Sequence, residues 1–240
     1  MLPSMAMLLA LLLAASPQKP PANVIIPDEL REKRERELEA TPGQMPVFAN
    51  PLLSAALGPM KPQPGAWVEY LVRQKGRPDV RVRASVVGRP SADGGFWLEL
   101  ATLAQTGIAG AVKLRVHGDP LSPKDIERMF VMMAGQQPLE VPLDQLDPPA
   151  PKPPPPVKVT HRGREAIAVR AGSYRADVLE AGDMRVWRAS SVPLWGLVKA
   201  RSPKQSVELL GASARGAHTV FPPGWGDAGD DQGIGSETTK

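Results

Sequence analysis

The chain contains no cysteine. That absence removes disulfides, thiolate nucleophiles and thiolate metal sites together. It also removes acylation on an N-terminal cysteine, which excludes a mature lipoprotein of the bacterial kind. Aromatic residues make up only 5% of the 240 residues, so a core must be built largely from Val, Leu, Ala and Met. Histidine is scarce as well: His117, His161 and His218 are the only three, and none has a second His at i+3 or i+4. A metal site without cysteine needs such clustering or carboxylates nearby. The expectation is therefore no metal and no cofactor, with each His a surface residue at a strand end.

The short motifs of catalysis are missing too. There is no GxSxG elbow, Walker loop or GxGxxG. The nearest serine candidate, Ser213 in GASAR, lacks the second glycine. GDAGDDQGIG near the C-terminus carries Asp227, Asp230 and Asp231 but lacks the alternating ligands and closing Glu of a calcium loop. The expectation is a protein that is not an enzyme.

Long apolar runs are confined to the N-terminus. Met5 to Ala15 would rise about 16 Å as a helix, short of the roughly 30 Å of a hydrocarbon core. Residues 1–16 read as a secretory signal peptide, with an uncleaved anchor as the alternative. This predicts a soluble periplasmic or secreted protein. The net charge of +4 survives signal removal, since no charged side chain precedes Lys19. It falls short of a nucleic-acid footprint, so no nucleic acid is expected as a partner. The basic cluster Lys75, Arg77, Arg81, Arg83 and Arg89 has no interleaved aromatics for base stacking. It reads as a solvated sheet face or, through Arg81 and Arg83, as a surface for an anionic envelope component.

What the chain has in abundance is proline and glycine, 28 and 22 residues, which break it into many short segments. Residues 17–60 read as a charged helical tether (Asp28 to Glu39) followed by a short capped helix, Asn50 to Gly58. From Gly65 the period becomes two. GAWVEYLVR, PDVRVRASVVG, GGFWLELAT and GAVKLRVHG are strand-like runs, and the alternation resumes from VKVTHRG through QSVELLGA. Val80, Val82, Ala84 and Val86 share one face while Arg81 and Arg83 share the other. Glu69 and Glu99 share strand faces with Trp67 and Trp97. They read either as carboxylates lining a wetter face or as buried acids beside indoles.

SPKDIERMFVMMAG, Ser122 to Gly135, is predicted to be the one amphipathic helix among the strands. Ser122 would cap it, Gly135 would end it, and Ile126, Met129, Phe130 and Met133 would form its apolar stripe. A Met-rich stripe is plain core in most proteins and lines an adaptable binding surface in some. DPPAPKPPPP (147–156) reads as a stiff polyproline spacer of roughly 30 Å. Residues 61–220 are thus taken as one β domain containing that spacer, and 221–240 as a disordered tail.

VWRASSVPLWGLVKA, Val186 to Ala200, holds two of the five tryptophans. Pairing the flanks about position 192 would set Trp187 opposite Leu197 and Gly196 opposite Arg188. Trp187 and Trp195 would then lie on one face of a curved hairpin.

The signal segment, the curved antiparallel strands, the amphipathic stretch midway and the run AGSYRADVLEAGDMRVWRASSVPLWGLVKA together resemble the LolA-type lipoprotein carriers and their relatives. The resemblance, over roughly Gly65 to Gly216, implies an unclosed β-barrel whose concave face, lidded by helices, holds acyl chains. The combined expectation is a mainly β protein: a curved antiparallel sheet or unclosed barrel with the Ser122–Gly135 helix as lid. It would bind an acyl chain or lipidated protein without enzymatic chemistry, through Ile126, Met129, Phe130, Met133, Trp187 and Trp195. The alternative is an envelope structural or interaction module with a filled core and no small-molecule ligand.

Overall fold

The computed structural model describes residues 51–88, 94–105, 107–120, 122–143 and 157–225. The expectations for the signal segment, the charged tether, Arg89, the polyproline spacer and residues 226–240 fall outside them. Among the described residues one helix, α1 (Pro51–Leu57), precedes eleven strands in a single antiparallel sheet.

The strands form two meanders. The first is β1 (Trp67–Gln74), β2 (Val80–Val87), β3 (Phe96–Ala104), β4 (Gly107–Val116), β5 (Ile126–Met133) and β6 (Leu139–Glu140). The second is β7 (Val159–Val169), β8 (Gly172–Ala181), β9 (Met184–Arg188), β10 (Leu197–Arg201) and β11 (Gln205–Ser213). The two are joined where β1 pairs with β11, giving the order β6-β5-β4-β3-β2-β1-β11-β10-β9-β8-β7. Consecutive strands are neighbours within each meander, so this is an up-and-down sheet left open between β6 and β7. The residues between β6 and β7, which include the proline run, therefore connect its two outermost strands.

Register sorts the side chains cleanly. Val68, Ala84, Leu100, Val112 and Val131 form one cross-strand row, and Val86, Leu98, Leu114 and Met129 form the next. These rows, called the inner face here, carry the large apolar cluster. Leu53, Ala56 and Leu57 of α1, together with Val192, Leu194 and Trp195 from the β9–β10 loop, complete it. The outer face carries the intervening residues, among them the row Trp67, Ser85, Glu99, Lys113, Phe130 and Glu140.

The second meander curls back on the sheet. β10 meets β11 only over Lys199–Arg201, leaving the upper part of β11 without that neighbour. The tip of the β7–β8 hairpin comes to it there. Ala171 N–H donates to the Leu209 carbonyl at 3.3 Å, and Arg170 N–H to the Glu208 carboxylate at 3.2 Å.

The helix expected over Ser122–Gly135 is not formed. Its capping signal makes only a 3-10 turn, Pro123–Asp125, in which Asp125 N–H reaches Ser122 O at 3.0 Å. Ile126–Met133 is strand β5, paired along its length with β4. The reason is visible in the packing. Met129 and Val131 face the inner cluster while Phe130 and Met132 face a second apolar cluster on the outer face. A strand buried on both sides shows no polar alternation, and its apolar residues then fall by chance at helical spacing. No helical lid therefore crosses the sheet at this place. The short helix expected at Asn50–Gly58 is present as α1, and Gly58 ends it with φ +65°.

Candidate functional site

The residues expected to bind a ligand do not form one surface. Ile126, Met129, Trp187 and Trp195 belong to the large cluster, with Met129 and Trp195 each only 1% exposed. Phe130 points the other way, into the outer cluster. Met133 stands at the end of β5 opposite Gly110, half-buried.

The hairpin register is also shifted from the expected one. Trp187 lies opposite Lys199, not Leu197, and Arg188 lies opposite Leu197, not Gly196. The displacement is one residue at Arg188 and becomes two at Trp187 across an irregularity between Leu197 and Lys199. It arises where the loop needs Gly196 at φ +72°, since a Cβ there would stand 2.9 Å from the Ala189 carbonyl oxygen. Trp187 consequently shares a row with Lys199 and Glu208. Its indole N–H donates to Glu165, while Arg185 and Lys199 lie over its ring at 5.1 and 5.9 Å. Trp195 sits in the loop, not on a strand.

The inner face is closed to solvent by the chain itself. Tyr70, deep within it, donates its hydroxyl to the Leu197 carbonyl at 3.2 Å, and burial pushes its phenol pKa up. Arg188 ties the helix to the loop, donating to Ala56 O at 3.3 Å and to Trp195 O at 3.2 Å. Desolvation at this half-buried position lowers the pKa of its guanidinium.

The outer face is where charge and apolar surface meet. Glu69 is buried and pairs with Arg81 and, at 2.9 Å, with Arg83, whose guanidinium stacks over Trp67 at 4.8 Å. Two of the cations expected to meet an anionic surface are thus already engaged with one carboxylate. One strand pair over, Lys113 Nζ lies 3.4 Å from Glu99, each side chain 2% exposed. Burying a charged pair this deeply is tolerable only with further hydrogen bonds to the carboxylate.

Those bonds come from residues that sequence reading left out of the site. After β11 the chain turns at Gly216 (φ +85°), and Ala217 N–H donates to Gly65 O at 2.8 Å. It then crosses the outer face of β3–β5. The Thr219 hydroxyl donates to one Glu99 oxygen and Val220 N–H to the other at 2.9 Å. Phe221 is 3% exposed and lies 5.7 Å from the Lys113 ammonium, which sits 5.4 Å from the Trp97 ring. Trp225 meets Phe130 edge-on at 5.8 Å. Phe221–Trp225, assigned to a tail from sequence, are therefore part of this packed segment. The signal for it was present in FPPGW, an aromatic pair bracketing Pro222, Pro223 and Gly224 a few residues after the last strand.

Among the described residues no cluster of three or more His, Asp, Glu or Cys could hold a metal ion, and no helix is long and apolar enough to cross a membrane.

No family model matches the chain, and no curated protein matches it. Solved structures similar to it include a provisionally assigned lipoprotein of Parabacteroides distasonis ATCC 8503, at 8% identity and TM-score 0.32. That match covers 65% of this chain and 98% of the other. MucB is similar at 12% identity and TM-score 0.34, over 70% of this chain and 58% of MucB. At such scores neither likeness bears on what this chain does.

Proposed function

We propose that this chain is a non-enzymatic, exported interaction module whose core is filled by its own side chains. The observation supporting this is the state of the inner face. Leu98, Leu100, Val82 and Tyr70 on the sheet, and Leu53 and Leu57 on α1, are all 0% exposed. An acyl chain entering that face must first displace α1 or the Val192–Trp195 loop, both bonded through Arg188. Export follows from the N-terminal apolar run, and the missing cysteine suits a protein held together by core packing alone. Interaction with other macromolecules then falls to the outer face and the sheet edges, where polar and apolar groups reach the surface.

A delipidated sample titrated with fatty acid or lysophospholipid tests this reading. The filled core predicts no saturable change in tryptophan emission, since Trp195 is sealed and Trp187 is held between two cations. A saturable shift that Met129→Glu abolishes in a folded protein would instead establish the acyl-binding reading.

A further inference from the structure

The segment across β3–β5 has the character of a bound peptide. It forms no strand, and most of Arg215–Trp225 is exposed. Its one fully buried side chain is Phe221, flanked by half-buried Ala217, Val220 and Trp225. What it sits on is preorganised by the sheet. Trp97, Ala101, Ala111 and Phe130 come from three different strands, and their positions are set by the β3–β4 and β4–β5 ladders. Ala101 and Ala111 lie opposite each other, so two small residues face the segment between larger neighbours. At the side, Glu99 offers one oxygen to a backbone N–H and the other to a hydroxyl, which fixes both the path and the register of an extended chain.

When the segment leaves, the outer face opens and water takes the place of Thr219 and Val220 on the Glu99 oxygens. Lys113 remains paired with Glu99 and beside Trp97, so departure of the segment uncovers apolar surface but strands no buried charge. An apolar, aromatic-walled groove with one carboxylate aimed at the ligand backbone is a design for capturing an extended proline-containing segment.

We propose that this outer groove is a docking site for an extended Thr-x-Phe-Pro-type segment of a partner protein, and that Thr219–Trp225 occupies it in the free chain as an internal competitor. The proposal rests on the interaction-module reading and gives it a site and a ligand class. A closed segment that is open about 1% of the time weakens a competing peptide about a hundredfold. Affinity in trans is thereby kept low until a partner with additional contacts arrives.

The test uses the full chain and a fluorescein-labelled peptide of sequence AHTVFPPGW. Phe221→Ser, which removes the anchor, is expected to bind the peptide saturably and at least about tenfold more tightly than the unaltered chain. The same peptide with Ala in place of Phe should not bind. Should Phe221→Ser fail to fold, Thr219→Ala with Trp225→Ala weakens the segment at its more exposed positions and must show the same gain. Equal affinity in altered and unaltered chains, or binding indifferent to the peptide's Phe, overturns the proposal. The readout is independent of lipid. A protein that binds fatty acid refutes the filled core and leaves this titration decisive for the groove, while a lipid-silent protein that ignores the peptide refutes the groove alone.

Discussion

Lys113 and Glu99 face each other across β3 and β4 with both side chains almost fully buried, and the carboxylate holds the chain's C-terminal segment with its remaining valence. Removing one member of such a pair leaves an uncompensated buried charge, at a cost of about 3–5 kcal/mol. Lys113→Met should therefore lower stability by roughly 3 kcal/mol in urea denaturation. Adding Glu99→Leu should restore only part of that loss, because it removes the stranded charge but also the acceptor of the Thr219 hydroxyl and the Val220 N–H.

The strand assignment of β5 makes a position-specific prediction. Met129→Ala, on the inner face, should cost about 2–5 kcal/mol. Glu127→Ala, exposed at the irregularity before Arg128, loses its contacts with Arg115 at 3.5 Å and His117 at 3.1 Å and should cost less, about 1 kcal/mol. Amide exchange should protect alternate amides through the β4–β5 ladder, where a helix would protect successive ones.

Gly196→Ala should destabilise by about 1–3 kcal/mol, since it combines a positive φ with a Cβ pressed on the Ala189 carbonyl. The loss should appear in thermal unfolding together with weakened protection of the β9–β10 loop.

The strands were legible wherever one face met the core and the other met water. Val80, Val82, Ala84 and Val86 against Arg81 and Arg83 is such a case, and β2 lies where that alternation places it. β5 was not, because the C-terminal segment covers its outer face and supplies an apolar environment from more than eighty residues away. The same long-range contact hid the outer groove. Nothing local to Glu99 distinguishes it from Glu69, yet one meets two arginines and the other a lysine, a hydroxyl and a backbone amide. The Trp187 register failed for a different reason: Arg188 pairs one residue further along than expected, and the irregularity between Leu197 and Lys199 adds a second residue at Trp187.

Acid should loosen the contact of the β7–β8 tip with β11. Burial opposes ionisation of Glu208, but donation from Arg73 and from the Arg170 backbone outweighs it and holds the carboxyl below its ordinary value. A depressed folded pKa gives stability that is present above the unfolded value and is lost as pH falls through the folded one. Stability should therefore decline below about pH 5. Glu208→Gln should flatten that decline, and Asp177, held low by the Arg164 hydrogen bond, adds a slope of the same sign.

Native mass spectrometry of the chain purified without detergent or organic solvent addresses the filled core most directly. A core closed by Leu53, Leu57, Tyr70 and Trp195 predicts a single species at the mass of the polypeptide, unchanged after incubation with excess long-chain fatty acid. A stoichiometric adduct of lipid mass, carried from the host or acquired on incubation and lost from Met129→Glu, would contradict it.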